Sequence, residues 1–206
     1  MTGSQVRSSV LRAGVLLLLV SWNLRTVLAI IGTASSQIEQ DLGRGGAAVG
    51  AVSTVFVLLS ALAAPVATAL ARRWGSLRVA LLSLCLITLA HGLIAGWGAG
   101  QIWFAVAAAG LGGGMVGAIT PALVSTLLPA RAGLGVAVFM VGNSAGFYAA
   151  SVAVAWTIER FAAWHLAAVP LGVVTLCCAA VWAVVVRLRR GSGAPSAAIR
   201  SASAGA

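Results

Sequence analysis

The chain has 206 residues, of which 61% are hydrophobic and only 8% are charged. Soluble domains carry about 25% charged residues because their surfaces face water, so this composition excludes a soluble globular domain and predicts the lipid bilayer as a partner. The net charge of +10 comes entirely from Arg, and these residues lie in the gaps between apolar runs, which argues against a nucleic-acid partner.

Six apolar runs, in chain order, are each long enough to cross a bilayer as an α-helix. A hydrocarbon core of about 30 Å needs about 20 apolar residues per helix. Continuous runs without strand-type alternation also disfavour a membrane β-barrel. We therefore predict an all-α membrane protein with six transmembrane helices. The predicted spans are 13–35, 47–71, 77–97, 102–127, 134–157 and 165–187.

The segments outside these spans define the domain organisation. Residues 1–12 are predicted to be a cytoplasmic N-terminus, and residues 13–190 a six-helix transmembrane domain. The linkers are short, and the first is expected from Gln37 to Gly46. Residues 191–206 are Ser, Ala and Gly with few other residues and no apolar face, which predicts a disordered cytoplasmic tail.

The distribution of Arg predicts the orientation of the spans. The side that the acids Glu39, Asp41 and Glu159 occupy has only two Arg, Arg44 and Arg160. The other side has ten: Arg7, Arg12, Arg72, Arg73, Arg78, Arg131, Arg187, Arg189, Arg190 and Arg200. Positive charge accumulates in cytoplasmic loops, so both termini are expected in the cytoplasm of a multi-pass protein of the cell inner (plasma) membrane.

Two loop segments resemble each other. The sequence 71–75 (Ala-Arg-Arg-Trp-Gly) follows the second span, and 158–162 (Ile-Glu-Arg-Phe-Ala) follows the fifth span. The predicted topology places the two loops on opposite faces of the membrane. This similarity suggests that spans one to three and four to six form a 3+3 inverted repeat, as in many transporters.

Arg25 is the candidate binding residue with the clearest chemistry. It lies near the middle of the first span, where a charge costs about 2.5–3.5 kcal/mol on insertion scales and normally faces a bundle interior or a water-filled cavity. We interpret it as a cationic anchor for an anionic solute, and the alternative is a structural Arg that contacts backbone carbonyls or Trp22. Asn23 is a second candidate, although an interhelical hydrogen bond explains it equally well.

Span four carries a stripe of small residues, Gly110, Gly114 and Gly117, followed by Pro121 on the same face. Missing side chains allow a neighbouring backbone to approach closely, which explains the stripe as helix packing. The alternative is a thin wall beside a solute path.

Span five carries a polar stripe on an otherwise apolar helix. Ser144 and Tyr148 are four residues apart, and Asn143 lies beside them. The stripe fits two roles, interhelical hydrogen bonding and the lining of a cavity.

All three acids of the chain lie in loops, and no metal-ligand spacing appears, so we expect no catalytic residues, no metal, no cofactor and no enzyme activity.

Three motifs together resemble a known family. They are Trp22–Asn23–Leu24–Arg25 in span one, the loop Arg72–Arg73–Trp74–Gly75 with Arg78, and the segment 121–124 (Pro-Ala-Leu-Val). The chain from Ala13 to Arg190 resembles the N-terminal six-helix half of the cyanate and nitroimidazole permease branch of the major facilitator superfamily. It departs from that branch at Thr26, where Pro is usual, at Gly117 and Ser125, where Asn and Lys are common, and at Arg72, where the superfamily often has Asp.

The resemblance implies a secondary-transporter half for a small, anionic or polar organic solute. Such a transporter builds its site between two six-helix halves, so a second six-helix half or a homodimer is the expected partner. The alternative is a truncated, non-transporting membrane protein or an assembly partner. The departures leave the substrate open, and cyanate itself is not implied.

Overall fold

The structure is a computed structural model that describes residues 3–43 and 46–191. It is helical throughout these residues, which confirms the predicted all-α class for them. The predicted tail from residue 192 onward, and Arg44, lie outside the described residues. Eight α-helices are present in the described ranges: α1 Gly3–Trp22, α2 Thr26–Thr33, α3 Ser35–Leu42, α4 Ala47–Trp74, α5 Ser76–Trp97, α6 Ile102–Leu127, α7 Ala132–Phe161 and α8 Ala168–Gly191.

Five helical stretches of the described chain are long and apolar enough to cross a membrane. They are Val10–Thr33, Ala47–Trp74, Ser76–Leu127, Pro129–Phe161 and Trp164–Leu188. The third is 52 residues long and contains both α5 and α6, joined by the short 3₁₀ helix Gly98–Gln101. Ser76 Oγ at its start lies 3.5 Å from Thr126 Oγ1 near its end, so α5 and α6 lie side by side and antiparallel.

The connections between helices gather at two ends of the bundle. At one end the indole Nε1 of Trp164 donates a hydrogen bond of 2.7 Å to the Asp41 carboxylate. His165 also lies beside Gly98 at that end. We name it the acidic end, because it holds Asp41. A core cluster that includes Ile38 and Ile94 packs beneath these contacts.

The opposite end holds most of the arginines, and we name it the Arg-rich end. There the Trp182 Nε1 donates to the Leu77 carbonyl at 2.8 Å. A second core cluster, which includes Leu17 of α1, Leu127 of α6 and Trp182 of α8, packs behind this contact. The loops after α4 and α6 therefore lie at the same end as the start of the long helices α1 and α5.

The first predicted span, 13–35, corresponds to the stretch Val10–Thr33, but its helical structure differs from the prediction in two respects. Its first helix begins earlier, at Gly3, and the span is interrupted at residues 23–25 between α1 and α2. At the break the Asn23 Nδ2 donates to the Leu19 carbonyl at 2.7 Å, the acceptor that an unbroken helix would pair with the backbone N–H of residue 23. Leu24 N–H instead closes a tight turn onto Ser21 O at 3.2 Å.

The linker predicted from Gln37 to Gly46 is also wrong over its first half. Residues Ser35–Leu42 form the helix α3, in which Ile38 is fully buried in the core cluster of the acidic end. This helix is too short and too polar to be recognised as a span, and a single buried Ile anchors it. The loop after α4 is shorter than predicted, since α4 ends at Trp74 and α5 begins at Ser76 with Gly75 (φ +85°) between them.

Candidate functional site

Arg25 lies at the helix break and between two cavities in the middle of the bundle. One cavity, of about 360 Å³, lies toward α4. The other, of about 530 Å³, lies toward α7. Both share Leu24, Arg25 and Gly117 in their linings. Binding sites for small ligands typically measure about 300–1,000 Å³, so either cavity has room for a small solute.

Local structure explains how Arg25 reaches this position. Residues 23–25 leave the helical path, and Arg25 adopts φ −124° and ψ 14° before α2 begins. The two core clusters meet at the break, since Leu24 packs on the cluster of the Arg-rich end and Leu28 on that of the acidic end. The Arg25 side chain is exposed between them rather than packed in either cluster.

The charge of the two cavities is purely positive. Arg25 is the only ionisable residue among their described lining residues, and the remainder are apolar or neutral polar groups. The three acids of the chain, Glu39, Asp41 and Glu159, line neither cavity. An unpaired guanidinium with planar, paired donors suits a carboxylate or a similar anion.

Asn143 is the second polar side chain of the site that the sequence identified. It lines the cavity toward α7 together with Arg25. Its Oδ1 atom is buried and has no hydrogen-bond partner among the described residues. An unsatisfied buried acceptor costs about 1–3 kcal/mol. A rotation of the Asn143 side chain that turned Oδ1 toward a donor in the cavity would therefore be favourable.

Asn23 lies away from both cavities. Its side chain is 1% exposed, and its Oδ1 accepts a 2.8 Å hydrogen bond from Thr175 Oγ1 of α8. The structure therefore places Asn23 in an interhelical contact, the second of the two interpretations that its sequence position allowed. Asn23 lies at the same helix break as Arg25, two residues before it.

Ser144 and Tyr148 are on a different face of α7 from Asn143. Both are exposed, Tyr148 to 72%, and neither lines a cavity beside Arg25. The structure thus leaves Ser144 and Tyr148 of the predicted polar stripe outside the two cavities, and of these three residues only Asn143, beside the stripe, lines a cavity with Arg25. Tyr148 instead belongs to the outer surface of this bundle.

The glycine stripe of α6 divides into a packed part and an open part. A Cβ atom added at Gly110 would lie 2.8 Å from a backbone oxygen of α4, and one at Gly114 would lie 2.5 Å from Ser60 Cα. At Gly117 nothing lies within 4 Å, and both Gly117 and Pro121 line cavities. The structure therefore shows close packing at two positions and an open cavity wall at the other two.

Three polar residues of the site, Ser60, Thr120 and Ser125, were not identified as site residues in the sequence. Ser60 lines the cavity toward α4, and its Oγ donates to the backbone oxygens of Phe56 (2.8 Å) and Gly110 (3.0 Å). Thr120 lines the other cavity, and its Oγ1 donates to Val116 O at 2.8 Å. Isolated hydroxyls on apolar helices are common, so only the fold, which places these residues in the cavities that Arg25 lines, could have revealed them.

The predicted loop motif lies at a third cavity, at the Arg-rich end. Arg72, Gly75 and Arg78 line this cavity of about 830 Å³, and Arg73 does not. Elsewhere in the described chain, no group of three or more His, Cys, Asp or Glu side chains could hold a metal ion.

Comparison with known proteins identifies one family. The sequence model of the Major Facilitator Superfamily matches residues 14–205, which is nearly the whole chain. This match confirms, at the level of the superfamily, the resemblance noted from the sequence motifs. Neither the curated proteins nor the solved structures include a significant match to the chain.

Proposed function

The chain belongs to the major facilitator superfamily, and we propose from this premise that it forms one six-helix wall of a secondary transporter for a small organic anion. The superfamily consists of membrane transporters rather than enzymes. The observation that carries the proposal is Arg25, which is exposed to two cavities in the middle of an apolar bundle and has no acidic neighbour in their linings.

The geometry of the helices supports six membrane crossings. The 52-residue stretch from Ser76 to Leu127 consists of two antiparallel helices, each longer than 20 residues. Counted as two crossings, they raise the number of crossings from five to six. An even number places both termini on one side of the membrane.

An inverted 3+3 repeat within the six crossings is supported by the two similar loop segments. Helix α4 ends with the Gly75 N–H bonded to Ala71 O, and α7 ends with the Ala162 N–H bonded to Ile158 O, both at 2.9 Å. Both capping residues have positive φ, +85° at Gly75 and +52° at Ala162. The two ends lie at opposite ends of the bundle, as an inverted repeat requires.

The orientation rests on the distribution of charge. In the described chain Arg72, Arg73, Arg78 and Arg131 lie at the Arg-rich end, whereas the carboxylates lie near the acidic end. Positive charge is concentrated in cytoplasmic loops. We therefore assign the Arg-rich end, and with it both termini, to the cytoplasm of a cell inner (plasma) membrane.

The substrate class follows from Arg25 and Asn143 together. Arg25 offers donors to an anionic group, and the buried Oδ1 of Asn143 accepts a hydrogen bond from a donor. A small organic anion that also carries a hydroxyl, amine or amide satisfies both. Membership in the cyanate and nitroimidazole permease branch is compatible with this pair and rests on the Trp22–Asn23–Leu24–Arg25 motif.

A second wall would complete the site. In this fold the cavities beside Arg25 are open on one side of the bundle, and the exposed residues around them include Met140 (54% exposed) and Val136 (41%). A charge left facing lipid is costly. We propose that a second six-helix half, or a second copy of the chain, covers this face.

A binding screen in detergent tests the proposed site. The purified chain is heated with carboxylates, hydroxy acids and amino acids at about 10 mM each, and a compound bound at 100 times its Kd stabilises by about 2.7 kcal/mol. We expect a subset to raise the Tm of the wild type, little effect on Arg25→Ala, and an intermediate effect on Arg25→Lys, which keeps the charge but loses the planar donors.

The matched control is Arg12→Ala, which removes an exposed Arg from the same span, near the Arg-rich end and away from both cavities. It should respond like the wild type. An equal shift in Arg25→Ala and the wild type would remove Arg25 from the site. No stabilisation by any compound, alone or with a second half, would favour the non-transporting alternative.

A further inference from the structure

The largest of these cavities is not beside Arg25 but at the Arg-rich end. It measures about 830 Å³ and is lined by the last turns of α4 and α6, the first turn of α5 and the end of α8. The helical stretches that are long and apolar enough to cross a membrane end at Trp74, Leu127 and Leu188. The cavity therefore lies at the level where helices leave the hydrocarbon core, and Trp74 at its rim is 53% exposed, as is typical of the headgroup region.

Two arginines give the cavity an unbalanced positive charge. Arg72 and Arg78 line it, and no acidic residue is present among its described lining residues. The only three acids of the chain are Glu39, Asp41 and Glu159, none of which lines it, and Asp41 is bonded to Trp164 at the other end of the bundle. The position that often holds Asp in the superfamily is Arg72 here, which increases the charge.

The first turn of α5 adds to the attraction for an anion. This helix begins at Ser76 with Gly75 as its N-cap, has no side-chain cap and has no acidic residue in its first turn. Its unpaired N–H groups and the positive end of its dipole favour an anion at this position. Arg78 lies in the same turn, where its positive charge is repelled by the positive end of the helix dipole. A bound anion would offset this repulsion and would also accept hydrogen bonds from the unpaired N–H groups.

The remaining lining suits an amphiphile rather than a free ion. Two hydroxyls line the cavity side by side, since Ser76 Oγ of α5 and Thr126 Oγ1 of α6 lie 3.5 Å apart. Behind them the surface is apolar and is formed by Leu77, Ile119 and Val186. Leu77 is fixed through its carbonyl by Trp182.

We propose that this cavity binds the phosphate headgroup of an anionic phospholipid. Arg72, Arg78 and the first turn of α5 hold the phosphate, and the apolar surface accommodates the start of an acyl chain. Basic pockets between the ends of membrane helices are known to recognise such headgroups. The inference concerns a site separate from Arg25 and does not depend on transport.

Native mass spectrometry of the full chain, released from detergent with added phosphatidylglycerol or phosphatidylcholine, tests the proposal. The wild type is expected to retain phosphatidylglycerol and not phosphatidylcholine. Unspecific attraction by one Arg near a membrane surface contributes about fivefold to the affinity for anionic lipid, so two such residues account for about 30-fold. Because Arg72 and Arg78 also line the cavity, Arg72→Gln/Arg78→Gln should lower the affinity for phosphatidylglycerol by more than this.

Arg73→Gln is the matched control, because Arg73 adjoins Arg72 in the chain and carries the same charge but does not line the cavity. It measures the unspecific attraction of the surface and should lower the affinity by about fivefold or less. An equal loss per arginine in the two variants would overturn the proposal.

A competition measured on the wild type does not depend on the folding of any variant. Inorganic phosphate at millimolar concentration should leave phosphatidylglycerol bound, because the apolar part of the cavity contributes only to lipid binding. Displacement of the lipid by inorganic phosphate would instead assign the cavity to a soluble anion, and equal retention of phosphatidylcholine would show that its charge is irrelevant. Either result would contradict the proposal.

Discussion

Replacing Gly114 with Ala should weaken the contact between α6 and α4. The added Cβ would lie 2.5 Å from Ser60 Cα and closer still to the Ser60 carbonyl oxygen. Carbon atoms pack at about 3.5–4.0 Å, so the two helices must separate by about 1 Å. Both obstructing groups are backbone atoms, which cannot rotate away. Overpacking of this kind typically costs about 1–3 kcal/mol.

The neighbouring Gly117 provides an internal control on the same helix. A Cβ at Gly117 meets no atom within 4 Å. Both substitutions gain about 1 kcal/mol of helix propensity in water, so this contribution cancels when the two variants are compared. We therefore expect Gly114→Ala to be less stable than Gly117→Ala by about 1–3 kcal/mol.

Reversible unfolding in mixed micelles, with increasing sodium dodecyl sulfate and helicity as the signal, measures this difference. Gly117→Ala should unfold at or above the wild-type midpoint, and Gly114→Ala clearly below it. Equal midpoints for the two variants would refute the close packing of α6 against α4 at Gly114. A lower midpoint for Gly117→Ala would contradict the open space beside that residue.

Three further predictions concern the membrane topology, the hydrogen bond between Asn23 and Thr175, and the assembly of the chain. Reporter fusions at Gly75 should read cytoplasmic and those at Gly98 external, and the opposite pattern would reverse the proposed orientation. Thr175→Val leaves the buried Asn23 amide without its interhelical donor and should destabilise the bundle by about 0.6–1.7 kcal/mol in the same unfolding assay, while an unchanged midpoint would count against the bond. Crosslinking at native expression should yield a dimer or a heterodimer, and a strict monomer that transports solute would contradict the need for a second wall.

The sequence predicted most of the membrane helices because their signal is local. A run of about 20 apolar residues is sufficient to identify a span. The distribution of Arg and the positions of the short loops can also be read directly from the sequence. The break at residues 23–25 was not predicted, because it depends on an Asn23 side chain that also bonds Thr175, 152 residues away in the chain. A helical wheel assumes a continuous helix, whereas this chain leaves the helical path at residues 23–25.

The candidate site was predicted only in part for a related reason. Periodicity shows which residues share a helix face but not which neighbour covers that face. Tyr148 and Asn143 therefore looked equally suitable, and the structure places only Asn143 beside Arg25. Similarly, Gly142 and Gly146 were not identified, although a Cβ at Gly146 would lie 2.7 Å from the carbonyl carbon of Trp22. These glycines allow α7 to pack closely against α1, as Gly110 and Gly114 allow α6 to pack against α4.

The most direct test of the account is transport by Arg25→Ala in proteoliposomes. The solute is the organic anion that the binding screen identifies, the second half is included when crosslinking shows one, and uptake is expressed per folded molecule. Arg12→Ala serves as the charge control. The account predicts that Arg25→Ala inserts into the membrane as well as the wild type but loses uptake, while Arg12→Ala retains it. Unchanged uptake per folded Arg25→Ala molecule would contradict the central claim that Arg25 holds the anion.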